Sequence, residues 1–508
     1  MKYVIISTPM PWPLYQIAIR KALNFYKINN FINVSLGLHL PKISKKNIYL
    51  PPLVLIRSLI LGINLNLAFL RYFLNLQFER SIQKRRNLLK KIATMKIYDC
   101  EFGDIILSGY IRSPFSNGTL KIGIHFLKSC VYILLMPIIF NYIKFILTKF
   151  IIDKGEDFEI ILNIPEYVRV SQFIRRCIYK LGKNKFKISE IFFEKEKNKF
   201  IIEEFADCNS ILIKDKVLES YDLSEKFIDK SWNDIQERLY GERHVFAHTE
   251  NLNSKFDIDN KSDIDINMKN FLLQKKPVVL FPLHQTADEQ FVWGFDDFGD
   301  IDTFNQSVIK HCIKNNYLLI IKPHPMAFSN LNREKSKIES KYYSYLFRKY
   351  INSIKFDENN LRNNSFISRY YPNIILSSYS YPITKYLDIN SNILTCTRHG
   401  RIVIESLATK TPTIFCTRSR YLNFNLKNTF DNYETLIFLL DKFNKGSLFY
   451  DLPDSNLLKY ISACSIYWNL SSFNMRSLEV LKNYCLVEEI RRLEGYRWQE
   501  IFSELNIS

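Results

Sequence analysis

Residues 316–325 read NYLLIIKPHP, and the architecture of the chain turns on them. Tyr317 to Ile321 is an uninterrupted apolar run, bounded by Asn316 on one side and Lys322-Pro323 on the other. Apolar residues without alternation describe a strand covered on both faces, as in a parallel sheet sandwiched between helices. Lys322 and His324 each precede a proline, which steers both away from the helical region and keeps the chain extended as it leaves the sheet. Side chains two apart in an extended segment project to the same side, so an ammonium and an imidazole are expected at one point on the carboxyl edge. Open α/β folds bind ligands at that edge, and the natural guest for such a pair is a phosphate.

A second stretch, TRHGRIVIE at 397–405, repeats the logic. Asn392 to Cys396 reads as a short strand, Thr397 to Gly400 as a tight turn, and Arg401 to Thr409 as a helix with apolar Ile402, Val403, Leu407 and Ala408. Gly400 lets a ligand approach the backbone, the helix start would turn its open N–H groups toward it, and Glu405 could accept from sugar or ribose hydroxyls. The plainer alternative is that Gly400 only ends a strand and Glu405 is a solvated helix residue.

At 508 residues the chain exceeds what one core usually organises, and its 47% hydrophobic content supplies material for two. The formal charge of +19 fits an anionic partner, whether nucleic acid, membrane or phosphorylated substrate, although Lys and Arg are scattered rather than blocked. Nine cysteines, odd in number and without a CxxC pair, argue against a disulfide framework or zinc ribbon and for a reducing cytoplasm. The N-terminal MKYVIISTPMPWP carries too short an apolar run for a secretory signal. Longer apolar stretches at 50–76 and 122–152 are interrupted by Arg57, Asn64, Asn66 and Arg71, and by Lys128, Pro137, Asn141, Lys144 and Lys149. A spanning helix wants about 20 largely uncharged residues, so these read better as buried helices or a membrane-surface hairpin with lysines at its rim.

Along the first half, Tyr3 to Ser7 reads as the first strand of a Rossmann-like domain, with Ile17 to Tyr26 as a helix behind it. Tyr98 to Arg112 (YDCEFGDIILSGYIR) reads as a turn at Gly103-Asp104 beside a strand-like run. Asp157 to Asn163 is a strand ending at Pro165-Glu166-Tyr167, followed by a helix from Ser171 to Leu181, a charged hairpin at Glu194 to Phe200 and a helix from Ser220 to Gly241 that closes the first half. Residues 251–270 are polar and aperiodic, as a linker would be. Within them DIDNKSDID at 257–265 lacks the glycine and glutamate of a calcium loop, and His244 and His248 have no further ligands nearby.

The second half alternates strand and helix. Strands are expected at Pro277 to Pro282, Tyr317 to Ile321, Asn373 to Ser377, Asn392 to Cys396 and Thr413 to Cys416, and helices at Ile301 to Asn315, Glu334 to Ile351 and Arg401 to Thr409. This repetition implies a doubly wound parallel sheet. Neither GxGxxG nor a Walker loop occurs, which disfavours a dinucleotide cofactor. His284 and Asp288 follow the Pro277 to Pro282 strand and are expected near Lys322 and His324. Leu486 to Leu505 reads as an amphipathic C-terminal helix.

Taken together, Gly103-Asp104, His284 to Asp288 with Trp293-Gly294 behind, the K-x-H-P of Lys322 to Pro325 and the G-x-x-x-x-E of Gly400 to Glu405 resemble the motifs of bacterial capsule and surface-polysaccharide glycosyltransferases of glycosyltransferase-B type. The chain departs from that pattern at Ser108-Gly109, where relatives carry a further aspartate, and at Arg401, where a small residue is common. The resemblance implies an α/β fold of two Rossmann-like domains facing a cleft: an acceptor-binding domain with inserted apolar helices at 1–250, a linker at 251–270, a nucleotide-sugar-binding domain at 271–470, and a helical tail at 471–508 packing back on the first domain. It implies inverting, metal-independent transfer of a sugar from a nucleotide-sugar donor to a glycan or lipid-linked glycan acceptor, in the cytoplasm and at the inner face of its membrane. Asp104 would be the catalytic base with Glu166 behind it, and His284, Asp288, Lys322, His324, Thr397, Arg398, Gly400 and Glu405 would bind the nucleotide and its phosphates. No cofactor is expected.

Two other classes compete. A CDP-polyol phosphotransferase of teichoic-acid-like polymer synthesis would use the histidines for acid/base work on a phosphoryl group. A basic nucleic-acid-binding protein is opposed by the absence of any RRM, KH or helix-turn-helix pattern, so nucleic acid is not an expected partner.

Overall fold

Along two neighbouring strands of the second half, odd and even residues enter different cores. Val278, Leu280, Leu318 and Ile320 join one apolar cluster, and Val279, Phe281, Leu319 and Ile321 join another. The run at 317–321 therefore falls in a strand, Leu318–Lys322, covered on both faces, as its lack of alternation predicts. The structure, a computed structural model, describes residues 2–7, 31–35, 42–43, 46–47, 49–79, 81–111, 120, 122–148, 158–163, 169–182, 184–194, 199–204, 223–239, 265–274, 276–284, 298, 300–324, 333–350, 366–368, 370–377, 381–398, 400–416, 424, 426–448 and 452–471.

In chain order the first half contains β1 (Lys2–Ser7), β2 (Phe31–Ser35), β3 (Lys42–Ile43), β4 (Lys46–Asn47), α1 (Pro52–Phe78), α2 (Ile82–Ala93), β5 (Lys96–Ile97), β6 (Cys100–Glu101), α3 (Gly103–Ile111), α4 (Ile124–Ile146), β7 (Phe158–Asn163), α5 (Arg169–Gly182), β8 (Lys187–Glu194), β9 (Lys199–Glu204) and α6 (Glu225–Leu239). The second half contains α7 (Ile266–Leu272), β10 (Val278–Pro282), α8 (Ile301–Lys314), β11 (Leu318–Lys322), α9 (Arg333–Tyr350), β12 (Phe366–Ile367), β13 (Ile374–Leu376), α10 (Ile383–Leu387), β14 (Ile393–Thr397), α11 (Ile402–Ala408), β15 (Thr413–Cys416), β16 (Thr429–Phe430), α12 (Tyr433–Asn444) and α13 (Ser455–Ser471).

The strands form two seven-stranded sheets, ordered β4-β3-β2-β1-β7-β8-β9 and β12-β13-β11-β10-β14-β15-β16. In the first, β2, β1, β7 and β8 run parallel, with antiparallel strands at both edges. In the second, six strands run parallel and only β12 opposes them. One face of the second sheet packs on α8, α9 and α12, the other on α6, α7, α10, α11 and α13. The helix starts have sequence reasons: Asp265, Asp300 and Asn432 cap α7, α8 and α12 by accepting from the N–H three residues on. Helix α8 ends where Asn316 takes φ 55°, a conformation asparagine tolerates, and the chain turns directly into β11.

In the first half, α1 and α4 pack antiparallel over the β1 and β7 core. Two of the polar residues that interrupt the apolar stretches, Asn66 and Asn141, join the helices, and Gln77 at the end of α1 ties it to the segment before α4. The Asn141 side chain donates to Ser58 Oγ (2.9 Å), Asn66 to the Cys130 carbonyl (2.9 Å) and Gln77 to the Leu120 carbonyl (2.8 Å). Both helices are long and apolar enough to cross a membrane by length and composition. The inner side of α1, with Phe69, Phe73 and Leu76, lies in the protein core, whereas Leu53, Ile56, Ile60, Ile63 and Leu67 on its outer side are each more than half exposed. Arg85 of α2 ties this half to the second: its guanidinium donates to Asp300 Oδ2 (3.1 Å), while Oδ1 of the same carboxylate caps α8 (2.7 Å).

Three expectations change. Gly103-Asp104 is not a turn beside a strand but the start of helix α3: the segment is mostly apolar, Gly103 to Tyr110 are buried, and a helix satisfies their backbone groups within the segment itself. The linker expected at 251–270 contains the first turn of α7, because Asp265 caps it and Met268, Phe271 and Leu272 enter the second core. Helix α6, expected to close the first domain, places Ile235 and Leu239 in that core as well. The helix expected at Ile17 to Tyr26, the tail helix at 486–505, His244, His248 and most of 257–265 lie outside the described residues.

Gly103 is required by close approach. A Cβ there would stand 1.7 Å from the Ile92 carbonyl oxygen at the end of α2, a backbone atom that cannot rotate away. Gly103→Ala should destabilise the protein by at least ~1–3 kcal/mol, the usual cost of overpacking, read as a lower midpoint in thermal or urea unfolding. An unchanged midpoint would show that α2 and α3 are not packed this closely.

Candidate functional site

Strands β11 and β14 flank β10 on opposite sides, so the winding of the second sheet reverses between β10 and β14. Such a reversal leaves a crevice at the carboxyl ends of the strands. His284 follows β10, Lys322 and His324 stand at the end of β11, and Thr397 to Gly400 lie at the end of β14.

Alternation along β11 fixes the direction of Lys322. Leu318 and Ile320 face the cluster built with α10 and α11, and Lys322 continues to that side. Its ammonium donates to the carbonyl of Tyr381, just before α10, and lies 6.0 Å from the centre of the Tyr386 ring. Burial pushes the Lys322 pKa down to about 8, against the upward pull of the Glu405 carboxylate on α11. Lys322, Glu405 and the two tyrosines thus form one cluster.

His284 and His324 stand at matching register, because Pro282 pairs with Lys322 and the Leu283 N–H donates to the Lys322 carbonyl at 2.8 Å. Their half-buried rings meet edge to face, with centroids 6.4 Å apart. The His324 N–H donates to the Tyr343 hydroxyl on α9 (3.2 Å). Burial, with Glu339 beside it, raises the Tyr343 pKa and keeps it a neutral phenol. Lys322 and His324 therefore do not share one companion as expected: the ammonium turns to α10 and α11, and the imidazole meets His284.

Thr397 and Arg398 are almost fully buried, and the Arg398 carbonyl accepts from the Cys416 N–H at 3.0 Å. Gly400 has φ +117°, a conformation that L side chains rarely adopt, so glycine is needed there for the backbone itself. The helix after it begins at Ile402 and has only seven residues, too short to bring much of a macrodipole to the crevice. Asp288, His399 and Pro325 lie outside the described residues.

In the first half, Asp104 is buried and both its carboxylate oxygens accept from Arg176 of α5, one at 2.6 Å. The same guanidinium donates to the Glu101 carbonyl (3.1 Å). This is a two-pronged ion pair joining α3 to α5. Glu166, in the segment after β7, lies outside the described residues. Among the described residues, no three His, Cys, Asp or Glu side chains gather closely enough to hold a metal ion.

Sequence reasoning passed over Tyr343, Tyr381 and Tyr386. The signal available was SSYSYPITKY at 377–386, a proline set among tyrosines directly after a strand.

No family model matches the chain, and no curated protein matches it either. Among solved structures, one described as "S. aureus MnaA-UDP co-structure" is similar at 11% identity, covering 96% of this chain and 97% of that one, with a TM-score of 0.23. A likeness at that score decides neither fold nor function.

The Asp104 pair gives a stability test. Arg176→Ala leaves a buried carboxylate without its counter-charge and should cost about 3–5 kcal/mol, whereas Asp104→Leu combined with Arg176→Met should cost clearly less. Equal losses in both variants, measured by urea unfolding, would mean that the pair is not the element holding α3 on α5.

Proposed function

We propose that the protein is a glycosyltransferase that binds a nucleotide-activated sugar in the crevice of the second sheet and transfers the sugar to a glycan acceptor in bacterial surface-polysaccharide synthesis. The supporting observation is that two groups, Lys322 with Glu405 and His284 with His324, stand at the strand ends where the winding of the second sheet, with its six parallel strands, reverses. In such a transfer, negative charge builds on the departing nucleotide phosphate, and fixed positive groups aimed at it lower the barrier. Lys322 supplies that charge once a phosphate oxygen replaces the Tyr381 carbonyl as its acceptor. The imidazoles of His284 and His324 donate hydrogen bonds from the adjacent strand ends, and Glu405 accepts from ribose or sugar hydroxyls. Asp288, Thr397, Arg398 and Gly400 complete the donor-binding set.

The acceptor hydroxyl needs a general base. That role falls to Glu166 rather than Asp104, whose two oxygens are both taken by Arg176. Glu166 follows β7 by three residues in the sequence, and β7 and β2 flank β1 on opposite sides, so β7 ends at the corresponding reversal of winding. The arrangement proposed is two Rossmann-like lobes of glycosyltransferase-B type, with the acceptor entering from the first and lobe closure excluding water.

A second reading has its own observation. Paired imidazoles at the ends of adjacent strands suit acid/base work on a phosphoryl group, as a CDP-polyol phosphotransferase would require. Nucleotide release from sugar nucleotides and from CDP-polyols, assayed separately with the purified protein, separates the two, since only one donor class should turn over.

A nucleotide that binds the folded state raises the melting temperature by mass action, equivalent to ~2.7 kcal/mol at one hundred times its dissociation constant. A thermal-shift screen across UDP, GDP, CDP and CMP should therefore find a stabilising ligand, and a flat screen would remove the donor site. Lys322→Ala should lower kcat/KM about 10²- to 10³-fold, and unchanged kinetics would remove Lys322 from the mechanism.

The charge on Lys322 also sets a pH dependence. Its ammonium is present below about 8 and is lost as pH rises through that value, so nucleotide affinity should fall on the alkaline side. A bound phosphate shifts the loss upward, since an adjacent anion favours the charged lysine. Calorimetric titrations from pH 6 to 10 should show this limb in the native protein and a flatter profile in Lys322→Arg, whose guanidinium stays charged.

A further inference from the structure

Helix α1 carries an apolar stripe that nothing among the described residues covers. Leu53, Ile56, Ile60, Ile63, Leu67 and Leu74 follow each other at intervals of three, four and seven, one surface of a helix, and all are exposed. Phe78 extends the stripe at 81% exposure, the highest among the exposed large apolar side chains. On α4, the helix hydrogen-bonded to the inner side of α1, Leu127 and Val131 are 65% and 55% exposed and widen the patch. Apolar faces of this extent on soluble proteins mark a contact surface.

The charges around the stripe select what covers it. Helices α1, α2 and α4 contain no Asp or Glu. Arg57 and Arg71, each seven residues from Asn64, form with it the ridge next to the stripe, and all three are exposed. Lys84, Lys90 and Lys91 are exposed on α2, with the Lys91 ammonium 5.7 Å from the centre of the Tyr72 ring on α1. Lys128 is exposed beside Leu127. A second copy of this face would set arginine and lysine against their own kind, whereas an anionic surface complements them.

We propose that this face docks on a lipid bilayer bearing anionic headgroups, with the α1 stripe sunk among the acyl chains and the basic ridges at headgroup level. The orientation follows from the helix itself. At 1.5 Å per residue, α1 is about 40 Å long and could span, but its opposite side is part of the α/β core with β1 and β7. It therefore lies in the plane of the interface, with the other face still on the protein. The antiparallel pair of α1 and α4, joined at Ser58–Asn141 and Asn66–Cys130, presents one continuous plate.

The test is cosedimentation of the full chain with vesicles of phosphatidylcholine alone and of phosphatidylcholine with phosphatidylglycerol. Binding is expected to the anionic vesicles, at least about tenfold stronger than to the neutral ones and weakened by salt. Ile60→Asp with Leu67→Asp should abolish it, and Arg57→Gln with Arg71→Gln should remove much of the preference for anionic lipid. These positions are exposed, so melting temperature and nucleotide response should stay as in the native chain, which separates this proposal from the transferase reading. Unaltered vesicle binding by the Ile60/Leu67 variant would overturn it. So would a dimer in sedimentation velocity that this variant dissociates, with no lipid binding by the native protein.

Discussion

Burial of β10, β11 and β14 on both faces is the constraint from which the rest follows. A strand covered by helices on either side can carry no polar side chain along its length without a partner, and β10 and β11 carry none before their last residue. Polar chemistry is thereby displaced to where the strands end. Lys322 is the last residue of β11, and His284 and His324 stand two residues beyond their strands, at a register the parallel pairing makes equal. The crevice is polar because the sheet beneath it cannot be.

The first half meets a different demand, since it must hold long apolar helices against a sheet without a regular βα repeat. It does so with a few specific contacts. The asparagines of α1 and α4 reach across to the other helix, Gly103 lets α3 abut the end of α2, and the Asp104–Arg176 pair joins α3 to α5. Each uses a polar or small residue inside an otherwise apolar surface, where a shift in register would leave a group unsatisfied.

The legible parts of the chain were those governed by local rules. Unbroken apolar runs marked the strands of the second sheet, and Gly400 marked a place where the backbone turns against the preference of other residues. Gly103-Asp104 misled because glycine and aspartate suggest a turn equally well when the glycine is there for close packing and the aspartate for an ion pair 72 residues away in the chain. Lys322 was legible as a residue at the strand end, but not its companions. The Tyr381 carbonyl and Glu405 belong to distant segments, and only the order of strands in the sheet brings them beside it. The outward stripe of α1 was hidden for a related reason: a helix apolar on nearly every side gives no hint of which side the core will take.

Asp300 divides its two oxygens between separate duties. One closes the first turn of α8, and the other accepts from Arg85, which arrives from the opposite half of the molecule. Because different atoms serve the two contacts, Arg85 can let go while the helix start remains intact. The tie between the halves can be broken at a single oxygen without costing the second half its helix cap.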